Sequence, residues 1–302
     1  MTNSDPGDQF VQREDKAVYE TQEPVLYEVA DGVATLTMNR PDFHNVQNSQ
    51  MTYALDAGFR RAVDDDSVKV IVLRGAGKHF SAGHDIGSPG RDINKPFDRQ
   101  TLWWDHTNKP GAEQLFAREQ EVYLGMCRRW HDIPKPTIAM VQGACVAGGL
   151  MLAWVCDLII ASDDAFFQDP VVRMGIPGVE YFAHAHELNP RIAKEFLFLG
   201  DRMKADRAYM MGMVNRVVPR EALEAQTYDI AARIAKQPRM GLALTKTVIN
   251  RVEELQGLRT TMDVAFGYHH FAHAHSQVLG AGQLGGHDAK TMAQANKKDA
   301  KE

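Results

Sequence analysis

Residues 142–162, QGACVAGGLMLAWVCDLIIAS, decide how the rest of the chain reads. An apolar run, Thr137–Val141 (TIAMV), precedes them and has the composition of a buried strand. The small residues of Gln142-Gly143-Ala144-Cys145-Val146-Ala147-Gly148-Gly149 then turn the chain. Leu150–Cys156 reads as a helix, and Asp157–Ala161 as the next strand. An earlier stretch has the same order: the strand Val68–Leu73 (VKVIVL) runs into Lys78–Ile86, KHFSAGHDI. Strand-to-helix turns made of small residues leave backbone N–H groups unshielded by side chains. Two such groups aimed at one oxygen form an oxyanion hole, which lowers the barrier wherever an enolate or tetrahedral oxyanion develops.

Working outward, Val25, Tyr27 and Val29 alternate as one strand, Asp31-Gly32 is a hairpin turn, and Val33–Met38 is the return strand. Ser49–Val63 carries Met51, Leu55, Phe59 and Val63 at helical spacing, and Asp64-Asp65-Asp66 ends that helix. Ile86 to Pro110 reads as a long irregular loop bearing Trp103, Trp104 and His106, and loops of that length tend to be functional. A helix follows over Gly111–Asp132, stopped by Pro134-Lys135-Pro136. Phe166-Phe167 starts a short strand, Gly175–Tyr181 is a second irregular loop, and Val214–Val218 is an extended link. Helices are expected over Arg191–Leu199, Ala205–Met211, Arg220–Lys236, Gly241–Leu255 and Arg259–Val278. The chain therefore divides into a flexible arm (1–23), an α/β core (24–220) and a helical C-terminal region (221–302).

With 302 residues, 44% hydrophobic and 24% charged, the composition is that of a soluble globular protein with ample core. A net charge of −5 gives no basic footprint, so nucleic acid is not an expected partner. No apolar run reaches membrane-spanning length and the first residues lack an apolar signal core, so no membrane contact and a cytoplasmic location are expected. The three cysteines, Cys127, Cys145 and Cys156, include no C-x-x-C pair and read as core thiols. No G-x-G-x-x-G follows a strand, which disfavours a dinucleotide-binding fold.

Several motifs together resemble the crotonase (enoyl-CoA hydratase/isomerase) superfamily. They are Thr37-Met38-Asn39-Arg40-Pro41 with Asn45, FSAGHDI, the 142–162 stretch, MGIPG at 174–178, Ala205-Asp206-x-Ala208, and Gly212-Met213-Val214-Asn215-x-Val217-Val218. The resemblance spans residues 25 to 256. It implies a crotonase-like spiral of ββα turns, a C-terminal helical region that builds a homotrimer or hexamer, an acyl-CoA thioester as substrate, and no cofactor beyond the coenzyme A of that substrate. Carried over by position, it places the oxyanion-hole donors on the backbone of His84 and Gly148. Ala82, Asp85, Ile86 and Gly149 then border the thioester. The two glutamates that hydratases of the family use fall on Met151 and Val171, neither of which transfers protons.

Members with other chemistries place an acid, Tyr or Asp in the loop after MGIPG. Here Glu180 is the first candidate for general acid/base, with Tyr181 and His184 behind it and Asp169 after them. A carboxylate facing an apolar pocket has its pKa raised, which suits proton transfer near neutrality. AGHDI also resembles the decarboxylating branch, so hydratase, isomerase, decarboxylase and hydrolase chemistries stay open, beside a non-catalytic acyl-CoA binder. Trp103 is a candidate for the acyl-pocket wall, and Lys297-Lys298 for the CoA phosphates. His269, His270 and His273 fall near one another on a helix. With no H-E-x-x-H pattern, they read as a pocket wall or subunit contact and no metal is expected.

Overall fold

The computed structural model describes residues 23–86, 92, 95–101, 103–280, 285–286, 288, 291–292 and 294–295. The expected N-terminal arm and Lys297-Lys298 lie outside the described residues, as does part of the 86–110 loop. The hairpin forms as its alternation requires, with β1 (Val25–Ala30) antiparallel to β2 (Val33–Met38). Both turn residues have positive φ, Asp31 at 50° and Gly32 at 80°, the twist that a two-residue hairpin needs. Helix α1 (Ser49–Asp64) starts where the Asn48 side chain accepts a hydrogen bond from the Met51 N–H, 2.9 Å away. Its inward face carries Met51, Leu55, Phe59 and Ala62.

Strand β3 (Val70–Gly75) begins two residues later than the apolar run suggests. The amides of Val68 and Lys69 are spent on the carbonyls of Asp65 and Gly32, in the turn before the ladder. The helix expected over 111–132 is α2 (Gly111–Glu119) and α3 (Met126–His131), joined by a π turn over Gln120–Gly125. Then come β4 (Thr137–Val141), β5 (Ala144–Val146), α4 (Gly148–Trp154), β6 (Leu158–Ser162) and β7 (Phe166–Gln168). The remainder is α5 (His184–Glu187), α6 (Pro190–Leu199), β8 (Met203–Lys204), α7 (Ala205–Met210), β9 (Arg216–Val218), α8 (Leu223–Ala235), α9 (Arg239–Leu255) and α10 (Leu258–Val278).

The strands make two sheets, ordered β1-β2-β3-β4-β6-β9 and β5-β7-β8. From β2 to β9 the larger sheet is parallel, and its near-continuous apolar strands are those of a sheet covered on both faces. One face packs on α8, where Leu223 and Ala231 meet Val33, Val70, Val72, Ile138, Met140 and Ile160. The other buries Leu36, Ile71, Leu73, Ala139 and Val141 with α1 and α4. The link expected at 214–218 thus supplies an edge strand, β9, and α8 beyond residue 220 closes the core. Helix α9 leaves Met240, Leu244, Val248, Val252 and Leu255 exposed. Among the described residues no helix is long and apolar enough to cross a membrane.

Candidate active site

The two glycine-bearing stretches, 78–86 and 142–149, zip together at the edge of the smaller sheet. The Phe80 N–H donates to Gln142 O at 2.8 Å, Ser81 N–H to Ala144 O at 3.1 Å, and Val146 N–H to Ser81 O at 3.0 Å. On the other side, Gln47 N–H donates to Gly83 O at 2.8 Å and Asp85 N–H to Gln47 O at 2.9 Å. Residues 81–84 are therefore a strand-like rung between residue 47 and β5, although no sequence alternation marks them. Gly83 has φ +102°, and a Cβ on it would stand 3.3 Å from the Gly148 nitrogen. The residues after it and after Ala147, His84 and Gly148, are thus brought side by side. Gly148 is the first residue of α4, where backbone N–H groups have no intrahelical acceptor. Ala147 holds φ 48° and ψ −113°, a conformation that costs a non-glycine residue about 1–3 kcal/mol.

The His84 imidazole lies directly over Gly148, where an added Cβ would come 2.4 Å from its Cδ2. It stacks on Tyr123, ring centroids 3.7 Å apart and nearly coplanar at 9°. Behind Tyr123, the buried Arg118 donates to its hydroxyl at 3.2 Å and to Ser49 Oγ at 3.2 Å. Asp85 points inward to the buried Arg40, Oδ2 to Nη1 3.1 Å, and so holds the turn from behind. Ala82 donates its N–H to His44 O. Ile86 packs beside Met174, Ile176 and Met292.

Glu180 is buried, with Oε1 3.6 Å from His84 Nδ1 and 3.9 Å from His269 Nε2. Burial, and after it the charge of Glu119, pushes its carboxyl up to about 8. Its neighbour Tyr181 turns into the core, its ring centroid 6.4 Å from His131. Asp169 and His184, the reserve candidates, are consumed by each other: Asp169 Oδ2 lies 2.7 Å from His184 Nε2 and both side chains are fully buried. Asp169 also accepts the N–H groups of Val171 and Val179 at 3.3 Å each. The pair braces the loop that presents Glu180, and α5 (184–187) forms just after the irregular loop expected at 175–181. Trp103 packs at a tilt against Trp104 and lies 5.9 Å from Phe116. A Cβ on Gly149 would meet Ser81 O at 2.5 Å, so this glycine lets α4 close on the first stretch. Met151 is fully buried in the core and Val171 packs against it.

Beside Glu180 the fold assembles a group that no motif indicated. Glu119 ends α2 and is buried, with Oε2 3.3 Å from Nε2 of both His269 and His270 on α10. His269 Nδ1 is 2.9 Å from Gly178 O and its Nε2 is 3.1 Å from His273 Nε2. Burial alone would raise the Glu119 carboxyl, but the imidazole charge of His269, with His273 and His270 behind it, holds it far below the usual range. Burial disfavours a charged His269, yet Glu119 outweighs this and pushes it up to about 9. Burial takes His270 down to about 4. The available sequence signal was Arg118, Glu119 and Tyr123 set among the apolar positions of one helix. Polar residues on a buried face need partners.

The matching family model is that of the Enoyl-CoA hydratase/isomerase family, over residues 28–289. EchA13 of Mycobacterium tuberculosis, which has enoyl-CoA hydratase in its name, is 40% identical over 87% of this chain and 84% of its own length. The 1,2-epoxyphenylacetyl-CoA isomerase of Escherichia coli is 31% identical over 82% and 89%. A crystal structure from Mycobacterium smegmatis, also with enoyl-CoA hydratase in its name, superimposes with a TM-score of 0.77 at 43% identity. That match covers 86% of this chain and 98% of the other.

Proposed function

Since the chain belongs to the enoyl-CoA hydratase/isomerase family, we propose that it is a cytosolic acyl-CoA enzyme whose thioester oxygen is held by the backbone N–H groups of His84 and Gly148. In this reading Glu180 is the sole proton-transferring side chain. The observation that carries it is the side-by-side placement of those two turns, with Glu180 Oε1 3.6 Å from the His84 ring. Polarising the thioester carbonyl acidifies the α carbon, and each N–H donor to the resulting enolate oxygen contributes about 3–4 kcal/mol. Moving a proton between carbons of an enoyl chain needs one carboxylate that takes it and returns it. Hydration also needs a group that directs water, and Met151 and Val171 supply none. Isomerase-type proton transfer on an enoyl-CoA is therefore the reaction this site suits. Ala82, Asp85, Ile86 and Gly149 border the oxygen site, the first two by holding the turn, and Trp103 lines the acyl side with Phe116. Tyr181 contributes through the core beneath Glu180. The exposed apolar row on α9 favours assembly into a trimer or a pair of trimers.

The test is Glu180→Gln, which keeps shape and removes the base. Across a panel of 2-enoyl- and 3-enoyl-CoA thioesters, kcat on the best substrate falls by about 10²–10⁴-fold while KM stays close to wild type. Wild-type turnover in that variant rules out Glu180 as the proton carrier. Tight binding of the whole panel with no turnover by the wild-type protein replaces the enzyme with a binder.

A further inference from the structure

We propose that Glu119, His269 and His273 form a binding site for one divalent zinc-like cation next to the acyl site. The three are buried, and their ligand atoms lie within 4.8 Å of one another. The closest pairs are His269 Nε2 to Glu119 Oε2 at 3.3 Å and His269 Nε2 to His273 Nε2 at 3.1 Å. Ligands about 2.0–2.1 Å from a tetrahedral zinc stand about 3.3–3.4 Å from each other. Two of the three donor pairs thus already have the spacing that a tetrahedral ion imposes, and the third lies within 4.8 Å.

Two further features point to a cation. Glu119 Oε2 makes no hydrogen bond among the described residues, though it is buried. With no ion bound, the imidazole of His269 offsets that oxygen, and a cation would take over this role. His269 is fixed from behind, because a carbonyl only accepts: Gly178 O at 2.9 Å takes the proton of Nδ1. That leaves Nε2 as the ring atom facing Glu119 and His273. Metal-bound histidines are oriented in this way by a carbonyl or carboxylate on the far nitrogen. Two histidines and one carboxylate are a zinc donor set, and three protein ligands leave the fourth position to water or a ligand oxygen. Phe116 and Phe266 wall the cluster on its apolar side.

Sequence spacing hides the site. His269 and His273 are one helical turn apart, as in many zinc sites, but the carboxylate comes from residue 119 and no local motif contains it. When no ion is bound, a proton bridges the two histidine nitrogens 3.1 Å apart, and a metal would displace it. The inference does not depend on the reading of Glu180, since it concerns binding and not turnover.

The experiment uses the full-length protein stripped with a chelator and dialysed. Zn²⁺ is titrated by calorimetry, and Co²⁺ by its visible absorption, which is intense for tetrahedral nitrogen and oxygen ligation and weak for octahedral. Wild type is expected to bind one equivalent of each, with the intense cobalt bands. Glu119→Gln and His273→Gln, checked for wild-type circular dichroism, are expected to lose affinity by at least a factor of about ten, the least seen when even the partners of metal ligands are altered. No stoichiometric binding by wild type overturns the inference, whatever the variants do. So does binding unchanged in both variants, which would place the ion elsewhere. An octahedral-type cobalt spectrum also overturns it.

Discussion

Replacing Gly83 with alanine tests whether the meeting of the two turns is what makes this site. Gly83 is at φ +102°, and a Cβ there would stand 2.9 Å from Val146 O and 3.3 Å from both Ala147 Cβ and Gly148 N. Two costs add. The positive φ strains a non-glycine residue by about 1–3 kcal/mol, and forcing the packed turns apart costs about 1–3 kcal/mol more. An unfolding entropy of about 2.1 cal/mol/K per residue gives about 0.6 kcal/mol/K for the 302 residues, so the melting temperature falls by roughly 3–9 °C. A displacement approaching 1 Å between His84 and Gly148 lowers kcat by about 100-fold.

Gly212 separates the two costs. It also has positive φ, +86°, but a Cβ there meets nothing within 4 Å. Gly212→Ala therefore carries the strain without the crowding and leaves turnover unchanged. Both variants are melted by calorimetry and assayed on the same enoyl-CoA thioester. If Gly83→Ala melts with Gly212→Ala and turns over at the wild-type rate, contact between the turns does not set the geometry of the oxygen site.

Other perturbations separate the supports of the site from its chemistry. Asp85→Ala leaves the fully buried Arg40 side chain without its partner and is expected to cost about 3–5 kcal/mol in denaturant unfolding; a cost under 1 kcal/mol removes Asp85 as the brace. His131 gives a pH signature. Burial disfavours its charge, but hydrogen bonds to Asp132 and Glu253 overcome this and raise it from 6.5 to about 9. The charged form is thus favoured on folding, so its contribution is complete below pH 6.5 and fades as pH rises through about 9, with a ceiling of about 3 kcal/mol. The stability gap between wild type and His131→Gln, measured by urea unfolding, should shrink from pH 6 to pH 9.5. A gap that is constant or widens contradicts the pairing.

What could be read from sequence was whatever a short local pattern encodes. The hairpin at 25–38, helix α1 and the two turn stretches each carry their signal within a dozen residues, and each formed close to where it was expected. The misses are non-local. Strands β5 and β9 are three residues long and exist only because β7 and β6 lie alongside them. His269, His270 and His273 were seen as neighbours, but their carboxylate stands at 119, on another helix. A π turn directly follows Glu119, an irregularity that recurs at functional sites and that a 3.6-residue period cannot reveal. Tyr181 shares a loop with Glu180, and sequence could not show that one side chain enters the core while the other meets His84.

The buried ionisable groups near the site divide by whether their oxygens are satisfied, and this division separates scaffold from chemistry. Asp169 accepts from two backbone amides and faces His184. Glu121 accepts from Gln100 N, Thr101 N, Thr101 Oγ1 and Tyr53 Oη, tying the 100–101 segment to the helix. Such carboxylates are fully used, and removing one leaves its partners stranded. Glu180 Oε2 and Glu119 Oε2 are as deeply buried, yet neither has a hydrogen-bond partner among the described residues. A stable fold rarely tolerates such oxygens without a use, and both carboxylates come within 4 Å of His269. Where local rules are broken without internal compensation, a ligand or a reaction is the expected reason. On the proposed reading, these two carboxylates are where chemistry and binding are expected: Glu180 beside the His84 turn, Glu119 among the histidines of α10.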